Sequence, residues 1–376
     1  MQGTRLHPVC GAPARHLLRL AEATASRPPP ARDRSARQAY LRPLAERPAA
    51  PFRQPAVTDS PRIVFMGTPD FAVPSLDALV EAGLAPVAVV TVPDKPAGRG
   101  RSLRQSAVKK AAERHGLAVL QPASLKDEAF QRDLAALEPD ILAVVAFRIL
   151  PREVYETARL GAFNLHGSLL PAYRGAAPIQ RAIMDGVTET GVTTFFLRAK
   201  VDTGDIILRE AISVGPDDTA GDVHDRLAEI GAGAVVETVR RIAAGTAEAQ
   251  PQDDSAASPA PKIFREDAEI DWDRPAQEVH DHIRALAPYP GAWSTWRPAG
   301  GEPETLKIIR SALLEHSKTV APGTVVVMGR RMWVACRDGS VEILETQREG
   351  KRRMPVADLL NGVEIAPGTR LGTDGR

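Results

Sequence analysis

From Pro61 onward, short apolar runs alternate with longer stretches in which apolar residues recur every three or four positions. RIVFMG reads as a buried strand ending in glycine, and TPDFAVPSLDALVEAG as a turn followed by an amphipathic helix. VAVVTV predicts a second strand, SAVKKAAERHG a helix, AVLQP an extended segment and EAFQRDLAALEPD another helix. DILAVVAF is a third strong apolar strand. GAFNLHG follows as a strand, APIQRAIMDG as a helix, and TGVTTFFLRAK and DTGDIILRE as further strands. The unit closes on TAGDVHDRLAEIGAGAVVETVRRIAAG, where Val223, Leu227, Ile230, Val235, Val239 and Ile242 are spaced for one buried helix face. Strands alternating with helices predict an α/β fold, its parallel sheet covered on both faces.

The periodicity stops at AEAQPQDDSAASPAPK, residues 247–262, a polar connector that marks a domain boundary between 61–246 and 263–376. Beyond it PAQEVHDHIRAL predicts one helix. LKIIRSALL, GTVVVMG, RMWVACRDG and SVEILETQ are short strands split by glycine-containing turns, a pattern for a small β-barrel or sandwich. Residues 1–60 show no sustained apolar periodicity; RPPPARDRSARQ and ERPAAPFRQP cannot build a core and read as disordered. A dispensable extension, or a start assigned too early with 57–60 as the natural N-terminus, is favoured over a transit peptide, because acids and prolines interrupt the arginines.

Composition changes this picture in two places. The net charge of +1 hides an asymmetry, since residues 1–60 carry ten Arg, no Lys and four acids, and the remainder is net acidic. A polyanionic partner would therefore need local basic patches. Cys10 and Cys336 form neither a disulfide framework nor a metal site, and no run approaches the roughly 20 apolar residues that span a bilayer. A cytoplasmic protein, without membrane contact, is the expectation.

Chemistry concentrates where GAFNLHG ends. In a strand, Asn164 and His166 leave the backbone on the same side, near the carboxyl end where open α/β sheets bind ligands. An amide and an imidazole aimed at one point can stabilise an oxyanion, and the ring can move protons near neutral pH. Asp202, in KVDTGD between two strands, could orient and charge the ring. An arbitrary Asn-x-His more often caps its own loop, so the pair alone does not decide. Ser168 lies in no nucleophile elbow, the other histidines have no metal-ligand spacing, and Gly67 in FMGTPDF lacks the G-x-G-x-x-G fingerprint of a dinucleotide site. No metal and no nicotinamide are expected.

FNLHGSLLPAYRGAAPIQRA together with VDTGDII resembles the signature of the folate-dependent formyltransferases. The resemblance implies a Rossmann-like formyltransferase domain followed by a small OB-like β-barrel. It implies a catalytic trio of Asn164, His166 and Asp202, and 10-formyltetrahydrofolate as co-substrate. Ser168, Leu169, Leu170 and Pro171 would border the folate, and so would AFRILP, with Phe147, Arg148, Ile149 and Leu150. Arg148-Ile149-Leu150 is similar to the version found in family members that formylate glycinamide ribonucleotide, whereas many members acting on methionyl-tRNA carry a Tyr-Gly-containing loop there.

The acceptor depends on other segments. PDKPAGRGRSLRQSAVKK, residues 93–110, carries Lys95, Arg99, Arg101, Arg104, Lys109 and Lys110 against Asp94 alone. Gly98 and Gly100 would let it follow a phosphate backbone. PAGRGRSL resembles the inserted loop with which tRNA-acting members contact the acceptor stem, with Arg99 at its key arginine. KIFREDAEIDW, IRALAPYPGAW and GKRRMPVADLLNG resemble the second domain of the same members. Arg330, Arg331, Lys351, Arg352 and Arg353 are candidates for phosphate contact, and Trp293, Trp296 and Trp333 for the core. The resemblance thus implies an enzyme that formylates the α-amine of initiator methionyl-tRNA, the alternative being an amino sugar or other small amine; a monomer is the expectation.

Overall fold

The computed structural model describes residues 60–97, 102–298, 302–314 and 320–372. The N-terminal extension, Arg99, Arg101 and the two loop glycines lie outside the described residues.

Seven strands form the first sheet: β1 (Ile63–Gly67), β2 (Ala88–Val90), β3 (Val119–Leu120), β4 (Ile141–Val145), β5 (Gly161–His166), β6 (Glu189–Phe196) and β7 (Ile206–Ser213). Their spatial order is β7-β6-β5-β4-β1-β2-β3. The five strands from β3 to β5 are parallel, while β6 pairs antiparallel with β5 and β7 antiparallel with β6. The sheet is therefore mixed rather than wholly parallel. The β6–β7 pair is antiparallel because a short loop replaces the crossover that parallel neighbours require, while β6 itself reverses against β5 across the longer 167–188 connection that contains a helix.

Side-chain alternation splits this sheet into two cores. Ile63, Phe65, Val89, Ile141, Ala143, Val145, Phe163 and Leu165 share one cluster with the helices α1 (Val73–Glu81), α2 (Ala107–Arg114) and, further along, the helix Ala220–Ala244. Val64, Met66, Val90, Leu142, Val144 and Ala162 share the other with α3 (Glu128–Ala136) and α4 (Arg152–Tyr155). Asn164 and His166 continue the Ala162 row, so they emerge on the second face at the carboxyl end of β5.

After β5 come α5 (Pro178–Met184) and then α6 (Ala220–Ala244), the 25-residue helix just mentioned. Val223, Leu227, Val235, Val239 and Ile242 are buried, and Ile230 packs at the margin. Thr219 and Asp222 form a reciprocal capping box at its start, and Gly245, in the left-handed region, ends it.

The C-terminal part is antiparallel and all-β apart from α7 (Ala276–Leu286) and α8 (Val356–Gly362). Its main strands are β8 (Ala292–Trp296), β9 (Glu304–Leu314), β10 (Val325–Met328), β11 (Arg331–Ala335) and β12 (Ser340–Arg348), ordered β8-β9-β12-β11-β10. Two register irregularities in β9, between Ile308 and Ser311, bend the long β9–β12 ribbon. Trp272, Trp296, Ile308, Met332 and Val341 fill its core with one face of α7.

α7 also faces the first sheet's unit. Arg284 Nη1 donates to the carbonyl of Asp218 at 3.0 Å, His280 Nε2 lies 3.1 Å from the carbonyl of Pro216, and Ala285 belongs to the α6-side core. Asp281 and Arg284 form an ion pair at 2.7 Å in which both side chains are almost wholly buried.

Candidate active site

The tip of β5 is held from three directions. His166 is 6% exposed, and its Nε2 lies 2.8 Å from the carbonyl oxygen of Tyr173. A carbonyl only accepts, so Nε2 carries a proton. Nδ1 faces Asp202 Oδ2 at 3.9 Å, inside ion-pair range but longer than a hydrogen bond. Asn164, two residues earlier on the same face, is half-buried. Asp202 in turn accepts from the Gly175 amide at 2.9 Å. Among the described residues, the carboxylate is thereby fixed by a backbone group and not by a second cation.

Backbone conformation marks the same place. Four non-glycine residues among those described have positive φ, and three of them surround the site: Ala146 (+47°) after β4, Tyr173 (+60°) and Asp202 (+53°). Left-handed backbone costs about 1–2 kcal/mol per L-residue, so it persists where the surroundings dictate it. Gly175, at φ +133°, lets the chain approach Ala260, whose carbonyl oxygen a Cβ would meet at 2.4 Å.

The turn after β5 is equally constrained. Ser168 is fully buried and its hydroxyl donates to the Ala172 carbonyl at 2.7 Å. Thr193 Oγ1, from β6, donates to the Ser168 carbonyl at 2.7 Å and accepts from the Leu170 amide at 3.0 Å. Leu170 packs with Phe195 and Ile206, and the Leu170–Pro171 peptide is cis. Leu169 and Pro171 are half-buried.

The loop after β4 lies on the neighbouring strand. Phe147 and Leu150 are half-buried against the α3-side core, and Ile149 is 76% exposed. The Arg148 guanidinium donates to the carbonyls of Pro122 and Ala123 at 3.0 and 3.2 Å and sits 5.1 Å from the Phe147 ring. Burial pulls its pKa below the usual arginine value. The side chain thus ties the loop to the segment after β3.

Among the described residues, the basic candidates lie on separate elements. Lys95 and Arg104 are exposed and lie opposite each other in a small hairpin, Lys95–Ala97 against Ser102–Arg104. Lys109 is taken up by Asp94 at 2.6 Å, and its hydrogen bond holds the Asp94 carboxyl below the ordinary range. In the C-terminal part Lys351 and Arg352 are exposed, while Arg353 donates to the Pro288 carbonyl and Arg331 pairs with Glu342.

Sequence reading missed the residues of 247–262. Gln252 Nε2 donates to the carbonyls of Asp202 and Gly204 at 3.0 and 2.8 Å, and its Oε1 accepts from Arg174. Ser258 Oγ accepts from the Tyr173 amide at 2.9 Å. No spacing in the connector signals these contacts.

A family model described as formyl transferase matches residues 61–239, and one described as formyl transferase, C-terminal domain, matches residues 262–364. The chain belongs to the formyl transferase family. Among its curated relatives is a methionyl-tRNA formyltransferase of Bacteroides fragilis, 48% identical over 309 residues, which are 81% of this chain and 95% of that protein. Two solved structures share the family's fold at low identity. One is an N-formyltransferase from Helicobacter canadensis in complex with folinic acid and dTDP-3-aminofucose (TM-score 0.57, 20% identity, covering 76% of this chain and 99% of that one). The other is HypX from Aquifex aeolicus in complex with tetrahydrofolic acid (TM-score 0.56, 19% identity, 82% of this chain). This chain spans about half of HypX, 49% of its length.

Proposed function

We propose that this chain transfers the formyl group of 10-formyltetrahydrofolate to the α-amine of initiator methionyl-tRNA, supplying the formylated initiator for translation. The observation that carries the reading is the convergence of Asn164, His166 and Asp202 at the end of β5 in a chain matching methionyl-tRNA formyltransferases over nearly all of their length.

The folate supplies an activated formyl carbon. The half-buried Phe147 and Leu150, the exposed Ile149 and the Leu169–Leu170–Pro171 turn offer apolar walls for its ring system, consistent with the folate complexes of the structural neighbours. As the amine adds, charge grows on the formyl oxygen. Asn164 is the amide donor for that oxygen; His166 Nδ1, the ring atom without a short partner among the described residues, donates to it only when it carries the second ring proton, since Nε2 already holds the first. Asp202 Oδ2 faces Nδ1 across 3.9 Å, a separation that orients the ring and leaves this atom open to substrate. The proton released by the attacking nitrogen ends on the departing folate nitrogen, so the exchange needs no covalent enzyme intermediate.

Two surfaces support tRNA as acceptor. The paired strands carrying Lys95 and Arg104 flank, in sequence, Arg99 and Arg101. A groove of about 780 Å3 opens between α5 and the C-terminal sheet, beside Gly175. Lys262, Arg265 and Lys307 line it together with Tyr289, which is 80% exposed. Cations interleaved with aromatics suit a phosphate backbone with unpaired bases. Lys351, Arg352 and Arg353 would add phosphate contacts beyond it. The protein would work as a cytoplasmic monomer, with catalysis in 61–246 and tRNA contact in 263–376.

The deciding experiment offers 10-formyltetrahydrofolate with initiator methionyl-tRNA, elongator methionyl-tRNA and glycinamide ribonucleotide in parallel. Formylation of the initiator above the other two is expected; formylation of the small amine alone would overturn the acceptor. Arg99→Ala should raise KM for initiator tRNA without changing Tm, and a chain starting at residue 57 should keep full turnover.

A further inference from the structure

The segment 250–260 is hydrogen-bonded to both walls of the site. On one side Gln250 exchanges both backbone hydrogen bonds with Ile206, the first residue of β7, at 2.8 and 2.9 Å. On the other, Pro259 and Ala260 pair in parallel with Arg174 and Gly175, and the Arg174 amide donates to the Ser258 carbonyl at 2.8 Å. Between them, the Gln252 side chain reaches both walls. Its Nε2 spends both protons on the carbonyls of Asp202 and Gly204, and its Oε1 takes Arg174 Nε at 3.1 Å and Nη2 at 2.7 Å. Arg174 is further held by Asp254 at 2.8 Å.

The two walls are the two halves of the charge pair. Asp202 sits in a left-handed conformation at φ +53°, in a loop whose Gly204 runs so close to β6 that a Cβ would fall 1.5 Å from the Phe196 carbonyl oxygen. His166 is referenced to the 173–175 turn through the Tyr173 carbonyl, and Asp202 to the same turn through the Gly175 amide. A side chain that clamps the Asp202 loop to Arg174 therefore sets where the carboxylate stands relative to the imidazole. An amide is required for this: the loop presents two acceptors and the turn presents a cation, and only a group with two donors and an acceptor serves both.

We infer that Gln252 is a positioning residue for formyl transfer, acting through Asp202 to fix the Asp202–His166 separation. The inference rests on the reaction proposed above, but its geometry does not depend on which amine is the acceptor. Displacing a charged group by about 1 Å can cost on the order of a hundredfold in rate.

The test is a double-mutant cycle in the full chain. Gln252→Ala is expected to lower kcat about tenfold to a hundredfold with KM for tRNA and for 10-formyltetrahydrofolate unchanged. In an Asp202→Asn background the same change should cost less than about twofold, because partners in one network are not additive. Gln252→Glu keeps the size and the Arg174 contact but faces two carbonyls with a carboxylate, so it should fall with Gln252→Ala. Equal costs in both backgrounds, or a Gln252→Glu enzyme with wild-type kcat, would overturn the inference. Amide hydrogen exchange across residues 200–205 supplies a readout independent of turnover. Faster exchange in Gln252→Ala is expected, and unchanged exchange would also overturn it. A wild-type protein that formylates none of the offered amines, yet shows the exchange change, would sink the functional reading and leave the clamp standing.

Discussion

At the scale of residues, the candidate site is built as much from backbone as from side chains. The Tyr173 carbonyl assigns the proton on His166 Nε2, and the Gly175 amide holds Asp202. Asn164 and His166 were legible in the sequence because alternation along a strand fixes their common side. Tyr173 and Gly175 were not, because a carbonyl and an amide are present at every residue and become specific only in the fold. Replacing Asn164 or His166 by alanine should reduce kcat about 10²–10³-fold, the usual cost of a lost oxyanion donor; Asp202→Ala should fall in the same direction. Thermal melting should stay near wild type for Asn164→Ala, which is the control that separates chemistry from folding. Cys336 makes a different residue-scale prediction. Burial, with Asp338 nearby, pushes its thiol up to about 12. Iodoacetamide at pH 8 should leave it unmodified in the folded chain and alkylate it in denaturant, since only the thiolate reacts.

Among elements, α6 shows what local sequence can specify. Its apolar spacing, Thr219 cap and Gly245 stop agree, and the helix runs between them. Thr219→Ala should cost about 1 kcal/mol. Part of that cost depends on pH. The Thr219 hydroxyl and then the Thr219 amide donate to Asp222 and hold its carboxyl below the ordinary range. A lowered folded pKa means stability that is present above the unfolded value, about 3.9, and is lost as pH falls through the folded one. Urea titrations should therefore show the wild-type and Thr219→Ala curves converging below about pH 4. Strand direction was less legible. Apolar runs separated by helices suggested a wholly parallel sheet, but β6 reverses against β5 and a short loop then turns β7 back into the common direction, a difference set by the path of the connections and not by composition. The connector was the least legible element: Pro, Ser and Ala gave it no period, and its partners lie 48 to 85 positions away for Gln252 and Ser258.

Across the whole molecule, α7 is the joint. One face completes the C-terminal core, while His280 and Arg284 reach the carbonyls of residues 215–218. The Asp281–Arg284 pair is buried on both sides, so removing one partner strands the other's charge. Arg284→Ala should destabilise by about 3–5 kcal/mol, read by chemical denaturation. Asp281→Leu/Arg284→Met together should recover much of that loss, since paired apolar replacements of buried ions are commonly tolerated. Such a joint could not be foreseen from α7 itself, because its partners at residues 215–218 lie 64 to 69 positions away in the chain.

The clamp at residues 250–260 carries a consequence for where this polypeptide can be divided. Its Pro, Ser and Ala composition would invite a cloning boundary or a protease, and a break at 246 would leave every proposed catalytic side chain in the first piece. That piece would nonetheless lack the strand partner of Gly175, the acceptor for the Tyr173 amide and the amide that braces the Asp202 loop. A fragment ending at 246 should fold its sheet yet turn over poorly, whereas one extended through 262 should recover rate toward small amines. Kinetic comparison of the two pieces would show that the joining peptide is spent on the active site of the unit it leaves, which makes it an internal cofactor in all but name.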